Sequence, residues 1–423
     1  MTDFDDVDYF MDASIAIDPY AYWEFARAHG AVWQEPHHEA TLVTGYDEAV
    51  AMLHDHSTWS SCNSVAGTRP FPVPLEGDIS ALIDEHRDEL IFSEELPTMD
   101  PPEHTAHRSL LLRLITPKRL SENEAFMWRW ADVQLDEILE RGECEFVSEF
   151  AQPFTAVVIA DLLGVPEDDR HYYRENMTSK KAQSYSSATG IDELVGDPFA
   201  WMHEPFAAYV EDRRRDPRND VLTALATATF PDETLPEVHE VGVIAANLFG
   251  AGQETTVHLL SQSLRTMCDI PELQKVLRDD RSTIPNFIEE VLRLNTPLKG
   301  SYRLSRFPST VGGVDLPAGT TSMVLVGAAN RDARQFECPH EFQVDRPNAR
   351  QHLAFGHGIH TCVGAPLARS EARIALERLF DRTAEIRLSE DHHGPLDGRR
   401  YDYRPSTIIR GIRQLHLEYT PVG

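Results

Sequence analysis

Positive charge is scarce in this chain of 423 residues: 39 lysines and arginines stand against 69 aspartates and glutamates, a formal net charge of −30. So acidic a surface repels nucleic acid and anionic membranes, which excludes both as non-specific partners. Cysteine is scarce too. The five, Cys62, Cys144, Cys268, Cys338 and Cys362, are odd in number, scattered, and form no Cys-x-x-Cys pair. Neither a disulfide framework nor a paired-cysteine zinc site is therefore expected. No uncharged apolar stretch approaches the ~18 residues a membrane span needs. Residues 1–10 carry four aspartates where a secretory leader would carry positive charge. The expectation is a protein of a reducing cytoplasm, without a membrane anchor.

What is present is enough to fold: 41% of residues are hydrophobic and 26% charged, which allows a sizeable core. No repeat or composition shift divides the chain, so residues 1–423 read as a single domain. Helical patterning dominates from about Pro101 to Arg293, and Pro236 to Asp269 reads as one long helix bounded by Pro236 and Pro271. Strand-like pieces are short: Ala40–Thr44, Ser309–Val314, Ser322–Val326 and Gln414–Tyr419. The fold class expected is mainly α with small β-sheets. Gly67–Gly77, residues 182–200 and Arg331–Phe355 read as long loops, which inside a compact domain are more often functional than accidental.

The most informative segment is Phe355-Gly-His-Gly-Ile-His-Thr-Cys362-Val-Gly-Ala-Pro-Leu-Ala-Arg369. Three glycines crowd one cysteine, and a good helix follows. Glycine lets backbone approach something flat and close. A sulfur ahead of a helix N-terminus is expected to favour thiolate, the metal-binding form. A buried structural cysteine is one alternative, and a zinc site with His357 and His360 is another, although no further ligand pair has suitable spacing.

This segment resembles the ligand loop of the haem-thiolate monooxygenases, the cytochromes P-450, of soluble bacterial type. Their pattern is Phe-x-x-Gly-x-His-x-Cys-x-Gly, and Phe355, Gly358, His360, Cys362 and Gly364 match every fixed position. The resemblance implies the family's triangular-prism fold, with haem b held between the long central helix and the cysteine-loop helix. It makes Cys362 the metal ligand, whose electron density helps split the O–O bond. No Cys-x-x-Cys-His occurs, so the haem is expected to be bound without covalent attachment.

Four further stretches follow the family order. Ala251-Gly-Gln-Glu-Thr-Thr256 resembles its acid–alcohol motif, in which Glu254 and Thr255 would be catalytic, feeding protons, with Ala251 against the haem. Two glycines inside a helix each cost about 1 kcal/mol relative to alanine, and a locally loosened helix is expected there. A threonine merely bonding back to a helix carbonyl is the alternative. Glu290-Val-Leu-Arg293 matches the structural Glu-x-x-Arg and can pair with the chain near Arg346. Asp100-Pro-Pro-Glu-His104-Thr-Ala-His-Arg108 matches the stretch whose His104 and Arg108 would hold haem propionates, with Asp100 capping the helix. The fourth is the ordering Ser301-Tyr-Arg303, Gly313, Pro317-Ala-Gly319, Ala329-Asn-Arg-Asp332 and His352-Leu-Ala-Phe355, in which Arg303 matches a propionate-binding arginine; His360 matches a further propionate contact.

The resemblance also implies a pocket for a hydrophobic small molecule, terpenoid-, steroid- or fatty-acid-like. Phe71 and Val73 from the 71–75 loop, residues 177–202, Asn247, Gly250, Leu298, Ile408 and Ile409 would line it. Asn247, two turns before Thr255, suggests a substrate with a ketone or hydroxyl handle. The stretch Cys62–Met99 is longer than the resemblance implies. Neither Gly250-x-Gly252 nor Gly356-x-Gly358 completes a dinucleotide motif, so electrons are expected from an external ferredoxin and its reductase. Residues 70–103 hold ten acids and one base, whereas 104–120 hold Arg108, Arg113, Lys118 and Arg119 and no acid. Docking near Arg113, Lys118, Arg119 and Arg373 is the expectation. A peroxide-driven peroxygenase and a non-catalytic haem ligand-binding protein are the alternatives. The acid–alcohol pair argues against the first, and assay distinguishes the second.

Overall fold

The computed structural model describes residues 4–65, 67–113, 115–178 and 200–422. Its axis is the helix Val238–Asp269, 32 residues long. Glu237 and Glu240 form a reciprocal capping box at its start, and Pro271 opens the next helix just beyond its end. The helix is apolar on nearly every face because other helices surround it: Ala200–Arg215, Gln152–Leu163, Ile284–Leu294 and Ala365–Arg382 all pack on it. Gly242 permits the closest crossing, where a Cβ would stand 3.1 Å from the Ala207 nitrogen and 3.2 Å from the His203 carbonyl oxygen. The expected loosening at Gly250–Gly252 does not occur. The backbone stays α-helical throughout, and Gly252 faces Ile159, where an added Cβ would make ordinary contact at 3.4 Å.

The helix Pro117–Leu139 starts at Thr116, whose hydroxyl accepts from the Arg119 N–H, and lies along Ala365–Arg382. Sheets are small, as expected. One has five strands in the spatial order Val32–Gln34, Thr41–Val43, Thr321–Val324, Ser301–Ser305 and Trp59–Ser60. Another joins Glu143–Glu145, His416–Pro421 and Thr383–Leu388. Ser309–Val314 is not one strand. It folds into a hairpin of Ser309–Val311 and Val314–Leu316, turning on Gly312 and Gly313 with φ of +57 and +79, the positive values a two-residue hairpin turn requires.

Ionisable side chains are buried between these elements. Arg293 donates to Glu290 at 2.7 and 2.8 Å, and Arg346 donates to Glu290 at 2.9 Å, all within a dry core. The arginines also hold the carbonyls of Asn330, Glu337, Pro339 and Glu341. The irregular Arg331–Phe355 excursion is thereby fixed to a helix, as its Glu-x-x-Arg spacing led us to expect. Nothing in the sequence reading anticipated Glu371. It is buried on the cysteine-loop helix with only Thr256 of the central helix as a hydrogen-bonding side chain, and burial raises its carboxyl from the ordinary 4.5 to about 8.

Glu371 is therefore protonated at neutral pH in the folded chain and ionised in the unfolded one. Its contribution is complete below about pH 4.5 and is lost as pH rises toward 8. Glu371→Gln should be more stable than the parent by on the order of 4 kcal/mol at pH 8, a margin that falls to about 1 kcal/mol near pH 5. Urea unfolding at the two pH values reads this, and an identical difference at both would refute the assignment.

Candidate active site

The cysteine loop is pressed against the helix Tyr46–His54. Gly358 has φ of +71, and a Cβ there would lie 2.3 Å from the Leu53 carbonyl oxygen, so angle and space both demand glycine. The Cys362 N–H donates to the Phe355 carbonyl at 2.8 Å, closing the loop. Gly364 is under no such demand, since its φ is −80 and an added Cβ would rest 3.8 Å from Cys362 Sγ. The loop is also tied from below. Glu289 accepts from His352 at 3.0 Å and from Arg369 at 2.6 Å, and Arg369 covers the Phe355 ring at 4.5 Å. Burial pushes the Glu289 carboxyl up, but hydrogen bonds from His352 and Arg369 outweigh it and hold the carboxyl at about 2.

Cys362 is open to solvent, yet the protein around it raises its thiol above the ordinary range. A side chain both accessible and crowded lines a recess. Burial is the dominant cause; the N–H groups of Gly364 and Ala365 and the guanidinium groups of Arg108 and Arg369 act against it. The helix N-terminus acts in the expected direction, its Gly364 and Ala365 N–H groups favouring thiolate, but burial is the larger effect.

Cations gather around the recess. His104 and Arg108 share one face of the helix Glu103–Leu112, at positions i and i+4. The His104 ring lies 4.1 Å from the His360 ring, is 1% exposed, and has no hydrogen-bond partner at either nitrogen among the described residues. Burial first, then the Arg108 charge, holds its imidazole at about 4; burial, Arg303, His104 and Arg108 hold His360 at about 2. Arg303 is buried on the strand Ser301–Ser305, and burial lowers it to about 10. Among the described residues it donates only to the Tyr302 carbonyl and the Ser301 hydroxyl, with no carboxylate paired to it. Asp100 does not cap the helix. It accepts from Ser60, from the Ser61 N–H at 2.9 Å and from Arg306 at 2.6 Å, while the cap position falls on Pro102.

The donor set fits haem. Two guanidinium groups with no carboxylate paired to them among the described residues, and two neutral imidazoles able to donate, suit a pair of propionates, and the recessed sulfur suits iron. The zinc alternative fails on geometry, because the His357 ring packs 4.3 Å from His54 while His360 faces His104. Among the described residues the one cluster of metal-competent side chains is Asp8, Glu35 and His37, away from this loop in sequence.

On the central helix, Asn247, Ala251 and Thr255 follow at i, i+4 and i+8 and form an accessible stripe along its middle turns, with Gly252 and Glu254 beside them. Thr255 Oγ1 donates to the Ala251 carbonyl at 2.8 Å, the back-bonded geometry. Glu254 Oε1 lies 3.4 Å from Arg404 and 3.6 Å from His258. Gly250 is buried rather than accessible.

The other pocket residues separate. Leu298 is exposed and bridges Ile409, but Ile408 packs into the aromatic cluster of Tyr9, Phe10, Tyr22 and Trp23. Phe71 packs on Cys62, Ile79, Ile83 and Leu304 and lines a cavity of about 600 Å³ whose wall includes Leu75, Leu316 and Arg69 and nothing from the central helix. Val73 is half-buried and is not part of that wall. Of the 177–202 region, residues 179–199 lie outside the described residues; Trp201 packs on Tyr172 and Tyr173, and Met202 is buried in the main core. The expected basic patch is smaller than its composition. Lys118 and Arg119 pair with Glu122, and Arg373 with Glu124 and Glu377, which leaves Arg113 exposed beside the exposed Leu112.

A family model for cytochrome P-450 matches residues 191–384. Cytochrome P-450 144 of Mycobacterium tuberculosis is 33% identical over 429 residues, covering 99% of this chain and 92% of that protein. The 6-deoxyerythronolide B hydroxylase of Saccharopolyspora erythraea is 33% identical over 378 residues, covering 89% of each. The substrate-free structure of Mycobacterium marinum cytochrome P-450 CYP150A6 superposes with a TM-score of 0.93 at 50% identity, covering all of both chains. No helix among the described residues is long and apolar enough to cross a membrane. The chain belongs to the cytochrome P-450 family: it is a haem b monooxygenase that works on a small-molecule substrate with O₂ and electrons from an external partner.

Proposed function

We propose that this chain, working as one catalytic unit, hydroxylates a bulky, mostly apolar substrate carrying a ketone or hydroxyl, with electrons from a ferredoxin. The observation that carries the reading is the cluster about Cys362: the Arg108 and Arg303 guanidinium groups with no carboxylate paired to them among the described residues, the neutral His104 and His360 rings, and an accessible stripe of the central helix. Cys362 would bind the iron, and His104, Arg108, Arg303 and His360 the propionates. Bound haem supplies O₂ activation, one oxygen atom entering the substrate and the other leaving as water.

The chain's own residues have three tasks. Phe355, Gly358 and Gly364 shape the loop so that Cys362 presents its sulfur while its N–H is already occupied by the Phe355 carbonyl. Thr255 and Glu254 hold and move protons beside Ala251; the Thr255 hydroxyl is parked on the Ala251 carbonyl and turns to serve. Asn247 orients the substrate, since its buried Nδ2 has no hydrogen-bond partner among the described residues. A relative named as a hydroxylase of 6-deoxyerythronolide B supports an oxygenated, bulky skeleton. Leu298 and Ile409 would close the apolar side, with Val73, Phe71, Gly250 and Ile408 contributing only if their surroundings rearrange.

Three outcomes test this. Cys362→Ser should lose the thiolate-type Soret band of the reduced carbon-monoxide complex together with oxygenation; retention of both would refute the ligand assignment. Asn247→Leu should weaken binding of a cyclic ketone about tenfold while leaving the matching hydrocarbon unchanged, as read from substrate-induced spin shifts. If both ligands respond alike, the polar handle is wrong. Arg113→Glu should raise the ferredoxin concentration for half-maximal turnover about threefold at low salt, a difference that vanishes at high salt. An effect independent of salt would rule out docking by charge at this face.

A further inference from the structure

His258 lies one turn after Glu254 on the central helix and is 2% exposed. Both of its ring nitrogens are buried without a hydrogen-bond partner among the described residues, although Nε2 stands 3.6 Å from Glu254 Oε1. A buried imidazole with neither nitrogen satisfied is a rarity that calls for a reason. Its seat is specific. A Cβ on Gly411 would fall 2.0 Å from the ring's Cε1 and 2.5 Å from each nitrogen, so the ring occupies the space of a missing side chain. Gly411 accepts the Arg404 N–H at 3.0 Å, and the Arg404 guanidinium reaches the same Oε1 at 3.4 Å. One C-terminal loop therefore brings both the glycine notch and a guanidinium to Glu254.

We propose that His258 is a positioning residue for Glu254: its Nε2–H and the Arg404 guanidinium together hold Oε1, so that Oε2 is the oxygen that exchanges protons toward Thr255. This rests on the reading of Glu254 as the acid of the proton-delivering pair. The terminal torsion of a glutamate is broad and soft, so a small turn of the carboxylate brings Nε2–H within bonding range without moving either helix. The carboxylate is then gripped at one oxygen by two donors, one of them a cation, and its plane is fixed beside the substrate recess. A donor at this site need not be exposed or ionised. It needs only to be immovable, which the Gly411 notch provides.

The test uses the haem-loaded enzyme. In the diamagnetic reduced carbon-monoxide complex with ¹⁵N-labelled histidine, one imidazole N–H proton should be protected from solvent exchange. It should be absent in His258→Gln and shifted or lost in Glu254→Ala. If Glu254→Ala leaves that resonance in place, the proposal is overturned, whatever Glu254 does in turnover. The second readout needs no substrate. With a surrogate ferredoxin and reductase, the share of consumed O₂ released as hydrogen peroxide should rise about threefold in His258→Leu. His258→Gln, which keeps a donor, should restore the parent share, and Gly411→Ala, which displaces the ring without removing it, should reproduce the rise. A parent-like share in both His258→Leu and Gly411→Ala would also overturn the proposal. An unchanged share in Glu254→Gln would instead remove the underlying reading of Glu254, while the resonance would still report whether His258 and Glu254 are bonded.

Discussion

Positive charge buried without its counter-ion is the constraint around which the rest of this molecule is arranged. Arg303 is 4% exposed and meets only a carbonyl and a hydroxyl; His104 and His360 are forced neutral beside it and beside Arg108. A chain with a net charge of −30 has carboxylates to spare, and Asp100, the nearest acid to this cluster, spends itself on Ser60, Ser61 and Arg306. An isolated buried ion costs several kcal/mol, a cost that an anion from outside the polypeptide would offset. The same holds for the sulfur. Burial there outweighs two backbone N–H groups and two nearby guanidinium groups, and a cation from outside the chain would offset it. A group bearing two carboxylates at one edge and a metal at its centre meets both demands together.

Two consecutive acids, Glu289 and Glu290, make the frame stiff enough to wait for that group. They lie on one helix but point to different partners. Glu290 takes Arg293 and Arg346 and so pins the irregular excursion; Glu289 takes His352 and Arg369 and so pins the cysteine loop from both ends. Removing Glu290 would strand two buried guanidinium groups, at a cost of about 3–5 kcal/mol for a broken buried pair. The recess is preformed because its two walls are fastened to the same turn of helix.

The parts of the site legible in the sequence were those whose chemistry is local. Gly358 is dictated by its own φ and by Leu53, and His104 and Arg108 by helical spacing, so a short pattern carries them. Asp100 was misjudged because a helix cap and a tertiary anchor look alike in sequence, and only the fold brings Ser60 and Arg306 to it. Phe71 was placed in the pocket by its position in a loop, but the satellite cluster with Ile79 and Leu304 took it instead. Glu371 and His258 were missed although a signal existed. Glu371 falls on the apolar stripe of Leu367, Ile374 and Ala375, and His258 falls between Val257 and Leu259 in a fully buried run of the central helix, Thr256 to Leu264. A polar residue on a wholly apolar face announces a partner or a function, and reading acids as surface by default hides it.

The regularity of the central helix, which the glycines argued against, follows from what three successive residues must do. Each step along an α-helix turns about 100°. Glu254 thus faces Arg404 on the C-terminal loop, Thr255 faces the accessible stripe with Ala251, and Thr256 faces Glu371 on the cysteine-loop helix. Those three directions span about 200°, and a bulge anywhere between 251 and 256 would rotate at least one of them off its partner. Glycine at 250 and 252 is therefore better understood as space than as looseness. Gly252 settles against Ile159 without strain, and the small side chains leave the stripe low enough for a flat ligand to lie beneath it. The helix is kept straight because it is read on three sides at once.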